Sequence, residues 1–223
     1  MPQASAIVDK IRRDLEKVNE QLLRHSYLQS LEQGKIQKEK LRIFAGEQYT
    51  IISSDLRSVA HLVTRFGEPP SRDFFLGILQ GEKAASDSLL VFASALDMSE
   101  TDLRAYEPLP GAHAYTAYMA WLALYGSEAQ IAAGYLVNFP AWGQNCGRLS
   151  RIFKERFAMR EDQVGFFNLF ADVSPSFEEK ALGVIQHGLD QGENPHLVSR
   201  AARLLQAYEL MYWDILYHAS VGS

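Results

Sequence analysis

Cysteine is nearly absent from this sequence. Cys146 stands alone among 223 residues, which excludes an internal disulfide and any zinc site built on several thiolates. Glycine and proline are sparse, at 15 and 8 positions, too few for a collagen-like or low-complexity chain. No uninterrupted apolar run reaches the length of about 18 residues that a bilayer span needs. No basic run is longer than Arg12-Arg13, and 22 Lys and Arg against 27 Asp and Glu leave a formal charge of −5. Nucleic acids and anionic membrane surfaces both attract clustered Lys and Arg, so neither is expected as a partner. The opening residues Met1-Pro2-Gln3-Ala4-Ser5 lack the charged-then-apolar pattern of a secretory leader, and a cytosolic chain is expected.

What the sequence does have is helical periodicity. With 47% hydrophobic and 22% charged residues it can bury a sizeable core. Ile7, Ile11, Leu15, Val18 and Leu22 recur every three or four positions among charged residues, which predicts one amphipathic helix. A second helix is expected from about Gln37 to the stop at Gly67-Glu68-Pro69-Pro70, and a third behind Ser71 as N-cap. Ser99 opens a short helix, and Tyr115 to Leu122 mark another that breaks at Gly126. Ser127 caps the next, which carries Pro140 in its interior, where the missing N–H releases the Leu136 carbonyl. Ser176 to Leu189 and Pro195 to Tyr217 complete the set, the latter with Asn194 as cap. No strand pair, repeat or Gly/Ser linker stands out. The expected architecture is therefore a single all-α domain over residues 1–223, a bundle of roughly seven to nine helices.

Polar residues at apolar positions are the candidates for chemistry. Glu209 sits among Leu205, Tyr212 and Trp213 on one helical face. Desolvation there would raise its pKa toward neutrality and suit it to general acid/base work; the plainer reading is a carboxylate bonded to a tyrosine hydroxyl or turned to solvent. Gln48 lies on the apolar face of the second helix between Phe44 and Ile51-Ile52. Its amide can read a polar ligand by donating and accepting together, or it can pair with a neighbouring helix. Tyr115, Trp142, Phe170 and Tyr212 read first as core aromatics. The six histidines are scattered with no Glu-x-x-His pair, and Glu82 has no His one or two turns on, so no metal or other cofactor is expected.

The stretches His25-Ser26-Tyr27-Leu28 and Glu39 to Tyr49, then Glu107-Pro108-Leu109-Pro110-Gly111 with Tyr115 and Tyr118, and finally Tyr208-Glu209-Leu210-Met211-Tyr212-Trp213, resemble in order and spacing the TenA family, the thiaminase II proteins related to PqqC. The resemblance covers nearly the whole chain. It implies the haem-oxygenase-like helical bundle, a pocket between helices, a homo-oligomer and hydrolysis of thiamin or its aminopyrimidine breakdown products. In that family a Cys nucleophile, a Glu acid/base, a pyrimidine-binding Asp and several Tyr form the site. Glu209 falls on the catalytic Glu and Tyr115 on a pocket Tyr. Gln48 falls on the Asp, Gln144 and Phe170 on two Tyr, and Pro140 or a close neighbour on the Cys. Cys146, about 9 Å further along a helix, cannot replace that thiol.

Two readings follow. One is a hydrolase of a small heteroaromatic amine or amide, with Glu209 activating water directly, Gln48, Gln144 and Tyr115 contacting the ring, and Trp142, Phe170 and Tyr212 as walls. The other is a bundle that kept its pocket as a binding or interaction module and lost catalysis. The PqqC-like and metal-dependent CADD-like oxidations of the same bundle are disfavoured by the acidic balance and by the missing Glu and His ligand pattern.

Overall fold

The computed structural model describes residues 3–171 and 175–221, and every regular element among them is helical. The N-terminal stripe forms two helices, α1 (Ala4–Asp14) and α2 (Glu16–Leu23). The single helix expected there breaks at Leu15, whose ψ of 3° departs from the helical path. The break leaves the apolar stripe intact, because Ile7, Ile11, Leu15 and Leu22 are all buried. It lets α1 follow α10 while α2 turns along α8. A short α3 (Ser26–Glu32) is capped by His25, whose Nδ1 accepts the Tyr27 N–H.

The middle of the chain forms α4 (Leu41–Arg65), α5 (Ser71–Ser94), α6 (Glu100–Arg104) and α7 (Pro110–Tyr125). Ser71 does not cap α5. Pro70 occupies the cap, which places Ser71 inside the first turn with its hydroxyl buried and unpartnered. Ser99 and Asp102 form a capping box on α6. The loop between α6 and α7 is tied down by a buried carboxylate: Tyr106 Oη and the Leu109 N–H each donate to Glu47 Oε1 at 2.8 Å. Gly46 permits this, since a Cβ there would stand 2.4 Å from the Tyr106 ring.

Helix α8 (Glu128–Phe157) is the axis of the bundle and is buried along most of its length. Ser127 Oγ accepts the Gln130 N–H at 3.2 Å, as its position predicts, and the helix runs on through Pro140. Then come α9 (Gly165–Ala171), α10 (Pro175–Asp190) and α11 (Pro195–Val221). Asn194 Oδ1 accepts the His196 N–H at 2.9 Å and Pro195 opens α11, the expected start.

Packing follows the stripes. Helix α4 lies against α5 and α7, α11 against α7 and α8, and α9 and α10 cover α8. Phe167 is fully buried at the centre of a ring cluster, its centroid 5.0 Å from Phe92, Phe153 and Phe166 and 5.4 Å from Phe44. Rings this close, several edge to face, add to the area they bury. Where α4, α5, α7, α8, α9 and α11 meet, polar side chains interrupt this apolar filling and a cavity remains.

Candidate active site

The cavity is walled by Ile51, Ile52, Phe139, Trp142 and Phe170, with Gln48, Asp55, Glu82, Tyr115, Tyr135, Asn138, Glu209 and Tyr212 as its polar lining. About 40 Å³ of it is open to the centre of a water-sized sphere, room for a few ordered waters. No Lys, Arg or His is among these lining residues.

At one end Glu209 and Tyr212 project from α11. Glu209 is only 4% exposed, and burial pushes its carboxyl up to about 7 even though Trp213 and Asn138 hydrogen-bond it and pull the other way. Trp213 Nε1 donates to Glu209 Oε1 at 2.7 Å, one helical turn apart on the same face. Asn138 is itself held: its Nδ2 donates to Gln206 Oε1 at 3.1 Å, and Gln206 Nε2 donates to Asn19 Oδ1 at 2.6 Å. A chain of side-chain amides thus runs from α2 to the acid. Across from it, Gln48 Nε2 donates to Tyr212 Oη at 2.7 Å. That bond occupies the tyrosine oxygen and leaves the Gln48 carbonyl oxygen as an acceptor for another group.

The α4 apolar face carries the cavity onward. Asp55 lies seven residues beyond Gln48, about 10 Å along the helix axis. Burial, joined by the charge of nearby Glu82 of α5, pushes the Asp55 carboxyl well up. Burial raises Glu82 as well. Tyr115 lies within the fields of Asp55, Glu82 and Glu209; burial and those charges push its hydroxyl up, so it stays protonated at any ordinary pH.

Six of the seven residues expected at the site meet here: Glu209, Gln48, Tyr115, Trp142, Phe170 and Tyr212. Gln144 does not. It is exposed, and it lines a separate groove with Arg12, Pro140, Phe177 and Glu178, on the far side of Phe139 and Phe170. Helix α8 turns Tyr135, Asn138, Phe139 and Trp142 to the cavity, a spacing of three and four that points Gln144 elsewhere. Cys146 is fully buried, off the cavity, and burial raises its thiol. It is no nucleophile for this site. No group of three or more His, Cys, Asp or Glu suited to a metal ion occurs among the described residues.

Asp55, Glu82, Tyr135 and Asn138 were not foreseen. Asp55 and Glu82 carry the same signal as Gln48, a polar residue inside an otherwise apolar helical stripe. Their meeting depends on how α4 packs on α5, which periodicity does not give.

The fold and this cavity define a helical bundle of the haem-oxygenase-like class. The sequence matches the TENA/THI-4/PQQC family over residues 12–168, and the chain belongs to that family. No individually curated protein matches it. Among solved structures, a TenA homolog from Pseudomonas syringae pv. tomato str. DC3000 superposes with a TM-score of 0.77 at 16% identity, over 97% of this chain and 96% of that one. A domain of unknown function with a heme oxygenase-like fold from Shewanella denitrificans OS217 gives 0.75 at 14% identity, over 94% and 91%. The TenA homologue from P. horikoshii OT3 gives 0.74 at 17%, over 96% and 99%. At such identities these likenesses speak for the fold alone.

Proposed function

We propose that this chain is a TenA-type hydrolase of a small heteroaromatic amine or amide, in which Glu209 activates water directly. The observation that carries this reading is the Glu209 carboxyl itself, buried on a cavity, raised to about 7 and aimed by Trp213 and Asn138. A carboxyl poised near the ambient pH can take a proton in one step and return it in the next. In the proposed cycle, Glu209 removes a proton from water as its oxygen adds to the ring or acyl carbon bearing the amine. The protonated Glu209 then gives that proton to the departing nitrogen, so amine and hydroxylated product leave together. Gln48 and Tyr212 orient the ring edge, while Trp142 and Phe170 form apolar walls around it and exclude water. A reducing compartment such as the cytosol suits the single free thiol.

Incubating the protein with thiamin, aminopyrimidine and formylaminopyrimidine compounds tests this directly. Product formation that falls about a hundredfold or more in Glu209→Gln is the expected result, the usual size of an acid/base contribution. The second reading, a binding module without turnover, is favoured by the sequestered Cys146 and by Gln144 facing away from the cavity. It predicts ligand binding that Glu209→Gln leaves in place, with no product from either protein.

A further inference from the structure

Four carboxyls are buried among the described residues, and two of them are satisfied. Glu47 receives two donors and Glu209 receives Trp213 and Asn138. Asp55 is not. It is 4% exposed, its Oδ1 has no hydrogen-bond partner, and it lines the cavity beside Glu82, which is 7% exposed. Across from them Tyr135 is 1% exposed, and its hydroxyl also lacks a partner. Unsatisfied polar atoms this deep are rare, and each costs free energy that an empty site never recovers. Two of them facing one cavity describe the outline of a missing donor.

The chemistry of that donor follows from what faces the pair. Helix α7 contributes Tyr115, α8 contributes Tyr135 and Asn138, and α11 contributes Glu209, with no cationic side chain on the cavity lining. Glu82 also borders an outer groove holding Asp73 and Lys180, and Lys180 is exposed there rather than turned inward. A phosphate or carboxylate ligand would meet three carboxyls and no counter-charge. A nitrogen carrying several N–H groups and a positive charge meets acceptors on every side.

We propose that Asp55, Glu82 and Tyr135 form a subsite for a cationic N–H group, an ammonium or amidinium, on an unphosphorylated ligand whose ring lies toward Gln48 and Glu209. The inference deepens the proposed function, since it concerns the ligand of the same cavity. It places two nitrogen-bearing functions on that ligand, one at each end of the stretch of α4 between Gln48 and Asp55.

Titration calorimetry at pH 7 with matched pairs that differ only in charge tests it without requiring turnover. Benzylamine against benzyl alcohol is one pair; an aminopyrimidine bearing an aminomethyl or a hydroxymethyl arm is the other. The cationic member of each pair is expected to bind about tenfold or more tightly than its alcohol. Asp55→Asn and Glu82→Gln are expected to erase that preference while the alcohol's affinity stays within about twofold, and Tyr135→Phe, which leaves the charges in place, to weaken it. The unliganded Asp55→Asn protein is also expected to melt higher than wild type, because an unsatisfied ionisable group has left the interior. Equal binding of cation and alcohol, a preference untouched by these substitutions, or no binding of any of the four compounds overturns the subsite. Turnover without a charge preference would remove the subsite and leave the hydrolase; a charge preference without turnover would do the reverse.

Discussion

At the scale of single residues, the acid at position 209 is set by two opposed influences. Burial lifts its pKa, and the Trp213 N–H and the Asn138 amide restrain it. Trp213→Phe removes one restraint while keeping an aromatic ring, so the Glu209 midpoint is expected to move to higher pH by about one unit. A carbon-13 titration of the Glu209 carboxyl in the two proteins reads this, and an unchanged midpoint would show that the indole does not hold the carboxylate. Glu209 and Gln48 could be picked out beforehand because each interrupts an apolar face. Asp55 interrupts the same α4 face and Glu82 the α5 face, among Phe75, Ile78, Ala85 and Leu89. Only the packing of the two helices turns two isolated irregularities into a pair. Gln144 shows the opposite limit, since alignment to a family tyrosine assigns it a place that its own helical phase contradicts.

Among the elements, caps and breakers made helix starts readable, in long helices and short: Ser127, Asn194, Pro195 and the Ser99 box all stand where their chemistry predicts. Helix α9 was not readable. Its seven residues, Gly165–Ala171, are apolar on nearly every side, so they show no period, and their burial comes from the bundle around them. Its weight is nonetheless large. Phe167→Ala is expected to cost about 3–5 kcal/mol in urea unfolding, because the surrounding rings cannot collapse into the space. A loss below about 1 kcal/mol would mean that α9 folds onto the bundle loosely. The same substitution is expected to disturb the cavity, since Phe170 lines it one turn further along α9.

For the whole molecule, a site lined by raised acids makes stability depend on pH in a direction opposite to that of an ordinary surface carboxylate. Glu209 has a folded value near 7 and an ordinary value of 4.5, so between them the folded chain keeps a proton that the unfolded chain has released. Its contribution therefore favours the fold below about pH 5, is lost as the pH rises to about 7, and stays lost above. Glu209→Gln escapes that loss. Its stability relative to wild type is expected to grow by on the order of 3 kcal/mol between pH 5 and pH 8. Urea unfolding of both proteins at each pH checks this, and a constant difference would place the carboxyl in a better-solvated setting. The bundle itself was evident from periodicity and from the order of weak motifs. The acidic character of its cavity was not, because a net charge of −5 is spread over the whole chain and says nothing of where charges converge.

The amide chain from Asn19 through Gln206 and Asn138 to Glu209 has a fixed sense: Asn138 gives its N–H groups to Glu209 and to Gln206, Gln206 accepts from Asn138 and donates to Asn19, and Asn19 accepts. No member can rotate by half a turn without setting donor against donor or acceptor against acceptor at a neighbouring link. Loss of the proton from Glu209 draws on one N–H of the Asn138 amide and so weakens the other as a donor to Gln206, and that slackening passes outward, diminishing, to the half-exposed side chain of Asn19. The ionisation of an acid sealed in the centre of the bundle is thereby displayed near its surface, on a helix that never touches the cavity.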